Sequence, residues 1–142
     1  MPRDGLPTVP AVPTVSGELV AAHNGYGLER EVRGPVVGPG AHELELRVTC
    51  PGGNRWDLAL AVDGDEVAAG SDFRLLMAMA PFQGIDVGLD RRSPVCWSVH
   101  ERHGTFPFTG VLHSVEYRPG APAPDSPDNF LELLRDWGRT FE

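Results

Sequence analysis

Two stretches of the chain alternate apolar and polar residues with the period of a half-buried strand. In His42–Thr49, Leu44, Leu46 and Val48 fall on one side, and Glu43, Glu45 and Arg47 on the other. In Trp56–Val62, Trp56, Leu58, Leu60 and Val62 share a side. Cys50–Asn54, with Pro51, Gly52 and Gly53, separates them as a turn. Val62-Asp-Gly-Asp-Glu-Val67 predicts a tight hairpin leading to Val67 and Ala69, because Asp-Gly tolerates the positive φ angles of such turns.

Weaker patterns complete the strand set. Glu18–Ala22 and Leu28–Val32 read as short strands after a Pro-rich arm over residues 1–16. Phe73–Met79 is apolar enough for a buried strand, with a helical turn as the alternative, and Ile85–Leu89 for a short strand. Ser93–Thr105 has no clear period and reads as a long irregular connection. Phe106-Pro-Phe108 leads into Gly110–Tyr117, where Val111, His113, Val115 and Tyr117 oppose Leu112, Ser114 and Glu116. Phe106 and Phe108 are natural core anchors.

A Pro-rich linker over residues 119–127 precedes a helix over 128–142, with Ser126 as cap and Pro127 suited to the first turn. Phe130, Leu133, Leu134, Trp137 and Phe141 recur at helical spacing and form an apolar face that docks on the chain's own sheets or on a partner. The predicted fold is mainly β: an antiparallel β-sandwich over 17–118 with a C-terminal amphipathic helix.

Composition narrows the function classes. The 142 residues fit one domain plus tails. Net charge is −8 and all 12 cations are arginine. Nucleic-acid binding, which needs a basic face to displace counterions, is not expected. Adhesion to anionic membranes is disfavoured for the same reason. No apolar run approaches the ~18 residues of a membrane span, and residues 1–16 do not resemble a secretory leader. The expected location is cytoplasmic, where Cys50 and Cys96 are expected as buried free thiols.

Three segments in order carry a resemblance. They are Gly27-Leu-Glu-Arg-Glu-Val-Arg33 with Gly40-Ala-His-Glu-Leu-Glu-Leu46; Val62–Val67; and Ile85-Asp-Val-Gly-Leu-Asp-Arg-Arg-Ser-Pro-Val95 with Phe106-Pro-Phe-Thr-Gly-Val-Leu-His-Ser-Val115. The series resembles the C-terminal β-sandwich of large bacterial arylsulfatases, members of the alkaline-phosphatase-like superfamily, over roughly residues 21–139. The resemblance implies a domain that packs beside a catalytic domain and performs no chemistry itself. Sulfatase chemistry in that superfamily uses a Cys or Ser in a C/S-x-P-x-R motif within a separate α/β domain. Here Cys50-Pro-Gly-Gly-Asn-Arg55 has its proline one place early and its arginine one place late, and Cys96-Trp-Ser-Val-His100 has neither. No catalytic residue and no cofactor is therefore expected.

Other chemistries have residues to stand on. Cys96, His100 and His103 could place three metal ligands together, with Asp90 as a fourth, or a Cys–His nucleophilic pair; surface histidines and a buried cysteine are the expected outcome. Asp63, Asp65, Asp86 and Asp90 could bind calcium, although Asp63-Gly-Asp65 reads first as a hairpin tip. Trp56, Trp97 and Tyr26 could stack on a sugar. Trp56 is in phase with the core, which leaves Trp97 as the exposed aromatic. The functions in view are an accessory subunit that packs on a protein partner (a catalytic subunit, or further copies of itself in a homo-oligomer), a carbohydrate- or sulfate-ester-binding module using Trp97 with Arg91, Arg92 and Arg102, and a small enzyme or metal protein using the Cys96–His103 segment.

Overall fold

The computed structural model describes residues 11–13, 17–25, 28–74, 86–89 and 94–140. The described residues are mainly β. Six strands form two antiparallel sheets: β1 (Ala11–Pro13), β2 (Glu18–Gly25) and β3 (Leu28–Val36) in the first, and β4 (Leu44–Gly52), β5 (Arg55–Val62) and β6 (Asp65–Phe73) in the second. Two helices follow, α1 (Trp97–His103) and α2 (Ser126–Thr140).

Strong periodicity and good turn residues built the second sheet as expected. Gly53 and Asn54 both have positive φ, as do Asp63 and Gly64, so each connection is a two-residue turn whose twist matches its flanking strands. The Trp56 indole N–H donates to Asn54 Oδ1 at 3.2 Å and pins the first turn. The register pairs Leu46 with Leu60 and Val48 with Leu58, which places the apolar side of β4 beside that of β5.

The first sheet departs from expectation in length. Leu28–Val32 extends to Val36, and Glu18–Ala22 to Gly25. Leu19, Val20, Ala21, Ala22 and His23 are consecutively buried, so β2 is covered on both faces. That is why its sequence shows no alternation. β1 lies within the Pro-rich arm and pairs with β2 at Pro13↔Leu19, at a sheet edge where a missing N–H is tolerated.

The core joins the two sheets. Leu19, Ala21 and Val32 from the first meet Leu58, Leu60 and Phe73 from the second, with Trp56, Leu46 and Val48 packed around them. β3 lies over β6 at Gly70, where a Cβ would come within 2.7 Å of Val32 Cγ2 and 3.1 Å of Phe73 Cε2. Glycine is thus required there by the approach of the other sheet. Arg30 on β3 closes this end of the core. Its guanidinium donates to the Asp72 and Ser71 carbonyls and sits 4.2 Å from the Phe73 ring centroid.

Several expectations need correction. Ser93–Thr105 is not irregular: Trp97–His103 forms α1, closed by Gly104 at φ 66°. It is too short to reveal a helical period. Gly110–Tyr117 joins no ladder despite its alternation. Phe108 is exposed rather than a core anchor, and its ring lies against Gly110, where a Cβ would come within 2.6 Å of Phe108 Cζ. The Ile85–Leu89 segment contributes only an isolated bridge, Leu89↔Pro107, within the described residues. Of Phe73–Met79, Phe73 ends β6 and residues 75–79 lie outside the described residues. α2 starts at Ser126, two residues before the expected boundary. The Asp125 carboxylate just before it accepts the Gly53 N–H at 2.6 Å and ties the helix start to the β4–β5 turn.

Candidate functional site

Glu29, Glu31 and Arg33 alternate along β3 with Arg30 and Val32, so they project from the face opposite the core. The first turn of α1 sits on that face. The Trp97 N–H donates to Glu29 Oε1 at 2.7 Å. Cys96, the residue preceding α1, donates its thiol to Glu31 Oε1 at 3.1 Å, and the Ser98 hydroxyl reaches the same oxygen at 3.4 Å. Arg33 then bridges Glu31 Oε2 at 2.6 Å and Glu18 Oε2 at 2.8 Å. A network from β2 through β3 to α1 results.

This corner is where carboxylates and a thiol converge. Burial opposes ionisation of Glu31, but the Cys96 thiol and then Arg33 more than offset it, and the carboxyl titrates below its ordinary range. Burial raises the Cys96 pKa; the Ser98 contact partly offsets this and the Glu31 hydrogen bond adds to it. A buried, protonated thiol of this kind is a weak nucleophile. Glu29, Glu31 and Cys96 also present donor atoms within 4.8 Å of one another, so they are the residues that could hold a cation. Each donor already has a partner, and Arg33 supplies positive charge at the carboxylate a metal would need. The arrangement works best as a polar lock that fixes α1 to the sheet.

The candidate Cys96–His100–His103 grouping does not come together among the described residues, in keeping with the expected surface histidines and buried cysteine. One turn of helix carries His100 to Trp97, edge-on at 5.8 Å, and His103 meets Phe106 edge-on at 6.0 Å. Cys96 faces the sheet instead, toward Glu29 and Glu31 on β3, the latter 65 residues earlier in the chain, which no local spacing signals. Among the described residues Asp63, Asp65 and Asp86 form no three-donor group; Asp90, Arg91, Arg92 and Tyr26 lie outside the described residues. Cys50 is half-buried and Cys96 buried, and both are free thiols. Trp97 is half-exposed and Trp56 packs against the core, as expected.

Two surface features remain. The second sheet carries a shallow groove of about 420 Å³, lined by Ala59, Ala69, Leu58 and Gly70 together with Arg47, Thr49, Asp57, Glu66 and Ser71. Phe108, Val111, Leu112, Val115 and Tyr117 are each between 41% and 78% exposed, an apolar run on one ten-residue segment. Of the apolar face expected on α2, Leu134 is exposed. The side chains of Phe130, Leu133 and Trp137, and all of Phe141, lie outside the described residues. No helix among the described residues is long and apolar enough to cross a membrane. Comparison with protein-family models, curated proteins and solved structures gives no match.

Proposed function

We propose that this chain is a non-catalytic β-sandwich domain that acts as an accessory subunit by packing on a protein partner. The observation that carries the reading is the apolar run Phe108–Tyr117. Five large apolar side chains on one exposed segment form the kind of surface that interaction sites use. The segment is held at both ends, by the Phe108 N–H donating to the Gly88 carbonyl at 2.7 Å and by the Asp125–Gly53 bond beyond it. A tethered strip of this kind loses less freedom on docking than a loose one. The likeness to the arylsulfatase C-terminal sandwich supports the same reading, since there the sandwich lies against a catalytic domain. Face-to-face packing through Val32, Gly70 and Phe73 supports the sandwich itself.

The test places a photo-crosslinking residue at Val115 in the full chain, in its native cell. A specific cross-linked protein that disappears in a Val111→Asp variant, with folding unchanged by circular dichroism, is the expected result. A monodisperse monomer that cross-links to nothing overturns the proposal.

A second reading is a carbohydrate-binding module, favoured by the groove on the second sheet, whose lining combines small apolar residues with hydroxyl and charged side chains. Trp97 and Arg102, on α1, are not among the residues that line it. Glycan titrations followed by NMR, with no shift at Thr49, Asp57 or Ser71, would remove this reading.

A further inference from the structure

His42 stands in the connection between β3 and β4, beside the tip of the β5–β6 hairpin. Its Nδ1 lies 2.8 Å from Asp63 Oδ2, and its Nε2 lies 3.1 Å from the Gly38 carbonyl oxygen. The other Asp63 oxygen, Oδ1, accepts the Glu43 N–H at 2.9 Å, and the Asp63 N–H donates to the Glu43 carbonyl at 2.8 Å. One imidazole thus links residues 38–43 to a hairpin tip whose conformation is itself special, with Asp63 at φ 54° and Gly64 at φ 90°.

The hydrogen-bond inventory decides the protonation state. A carbonyl oxygen only accepts, and an ionised carboxylate only accepts. Both ring nitrogens must therefore donate, and only the imidazolium carries two N–H groups. A neutral ring can keep one contact at most while Asp63 is ionised. The group facing the ring from the hairpin is the Asp63 carboxylate. From its own connection the ring meets the uncharged Gly38 carbonyl, and Glu43 engages Asp63 through its backbone. Arg118 approaches from the later segment, acting on Glu43 and Glu45.

From this geometry we infer that His42 is a pH-operated clasp: charged, it fastens residues 38–43 to the β5–β6 hairpin, and on losing a proton it releases one of the two. The hydrogen bond to Asp63 raises the His42 pKa, and burial opposes it slightly. Asp63 is held low by His42 and the Glu43 N–H. For a base with a raised folded pKa, the stabilisation is complete below the unfolded value of ~6.5 and is lost as pH rises through the folded value. The clasp is thus shut in mild acid and opens on the alkaline side of the ordinary histidine range. Asp63 is ionised throughout that window, since its own pKa is lowered.

NMR on the full chain tests this by following the His42 ring protons and the amides of residues 38–43 against pH. The expected result is a His42 midpoint above that of an unperturbed histidine, with the amides of the connection shifting at the same midpoint. In Asp63→Asn the midpoint falls. Asn tolerates positive φ and its side-chain oxygen still accepts the Glu43 N–H, so the hairpin survives. Amide shifts outside the connection, unchanged from wild type, verify the fold. A wild-type midpoint at or below the ordinary value overturns the inference. So does a raised midpoint that Asp63→Asn leaves in place, or a connection whose amides ignore the His42 titration.

Discussion

Replacing Gly70 by alanine probes the joint between the sheets. The new methyl would sit 2.7 Å from Val32 Cγ2 and 3.1 Å from Phe73 Cε2, both side chains buried. Neither neighbour is the free end of a flexible chain, so relief requires β3 to rise or Phe73 to leave its rotamer. Overpacking of this kind costs about 1–3 kcal/mol. The φ of Gly70 is not positive, so alanine also restricts the unfolded chain and returns roughly 0.4–1 kcal/mol. A net loss of about 1–2 kcal/mol follows. With a urea m-value of ~2 kcal/mol/M, the unfolding midpoint falls by about 0.5–1 M. The discriminating measurement is a double-mutant cycle with Val32→Ala. Shortening Val32 removes the nearest clashing methyl and leaves only the tight approach to Phe73, so Gly70→Ala should cost distinctly less in that background. Equal destabilisation in both backgrounds, or none in wild type, refutes the claim that β3 packs on β6 through the missing side chain.

Further outcomes rest on other contacts. His23 is buried beside Phe73, and burial, then the Arg30 charge, lowers its pKa. Below ~6.5 the unfolded chain therefore takes a proton that the folded chain refuses. The stability of wild type relative to His23→Leu should fall as pH drops from 7.5 to 5 in urea titrations, a difference that leaves out the opposite contribution of His42; a difference that does not change with pH counts against burial of a neutral ring. A thiol reagent should label half-buried Cys50 rapidly and Cys96 only as the protein opens, so two equally fast thiols contradict the Glu31–Cys96 lock. Asp125→Ala removes the acceptor at Gly53, and hydrogen exchange there should quicken roughly tenfold, as expected for a hydrogen bond worth about 1–1.5 kcal/mol. Unaltered exchange at Gly53 would show that the contact does not hold.

The second sheet was legible in the chain because one of its faces is wet. Leu44–Val48 and Trp56–Val62 alternate, and Gly53-Asn54 and Asp63-Gly64 supply the positive φ angles that set the register. By themselves the residues determined these strands, their turns, the core position of Trp56 and the exposure of Trp97. Tertiary structure decided the rest. β2 carries no period because it is buried on both sides, and α1 is too short to show one. The Val111–Tyr117 alternation is a sound strand signal, yet pairing needs a neighbouring edge, which the pattern cannot supply. The same holds for chemistry. Spacing brought Cys96, His100 and His103 together on paper, whereas the cysteine meets Glu29 and Glu31 because α1 lies on the outer face of β3. His42 and Asp63 lie 21 residues apart, and only the hairpin's return brings carboxylate and ring within hydrogen-bond distance. Local patterns record which side of an element is apolar; which elements become neighbours is settled by packing, and the Cys96–Glu31 and His42–Asp63 contacts each join segments that only packing brings together.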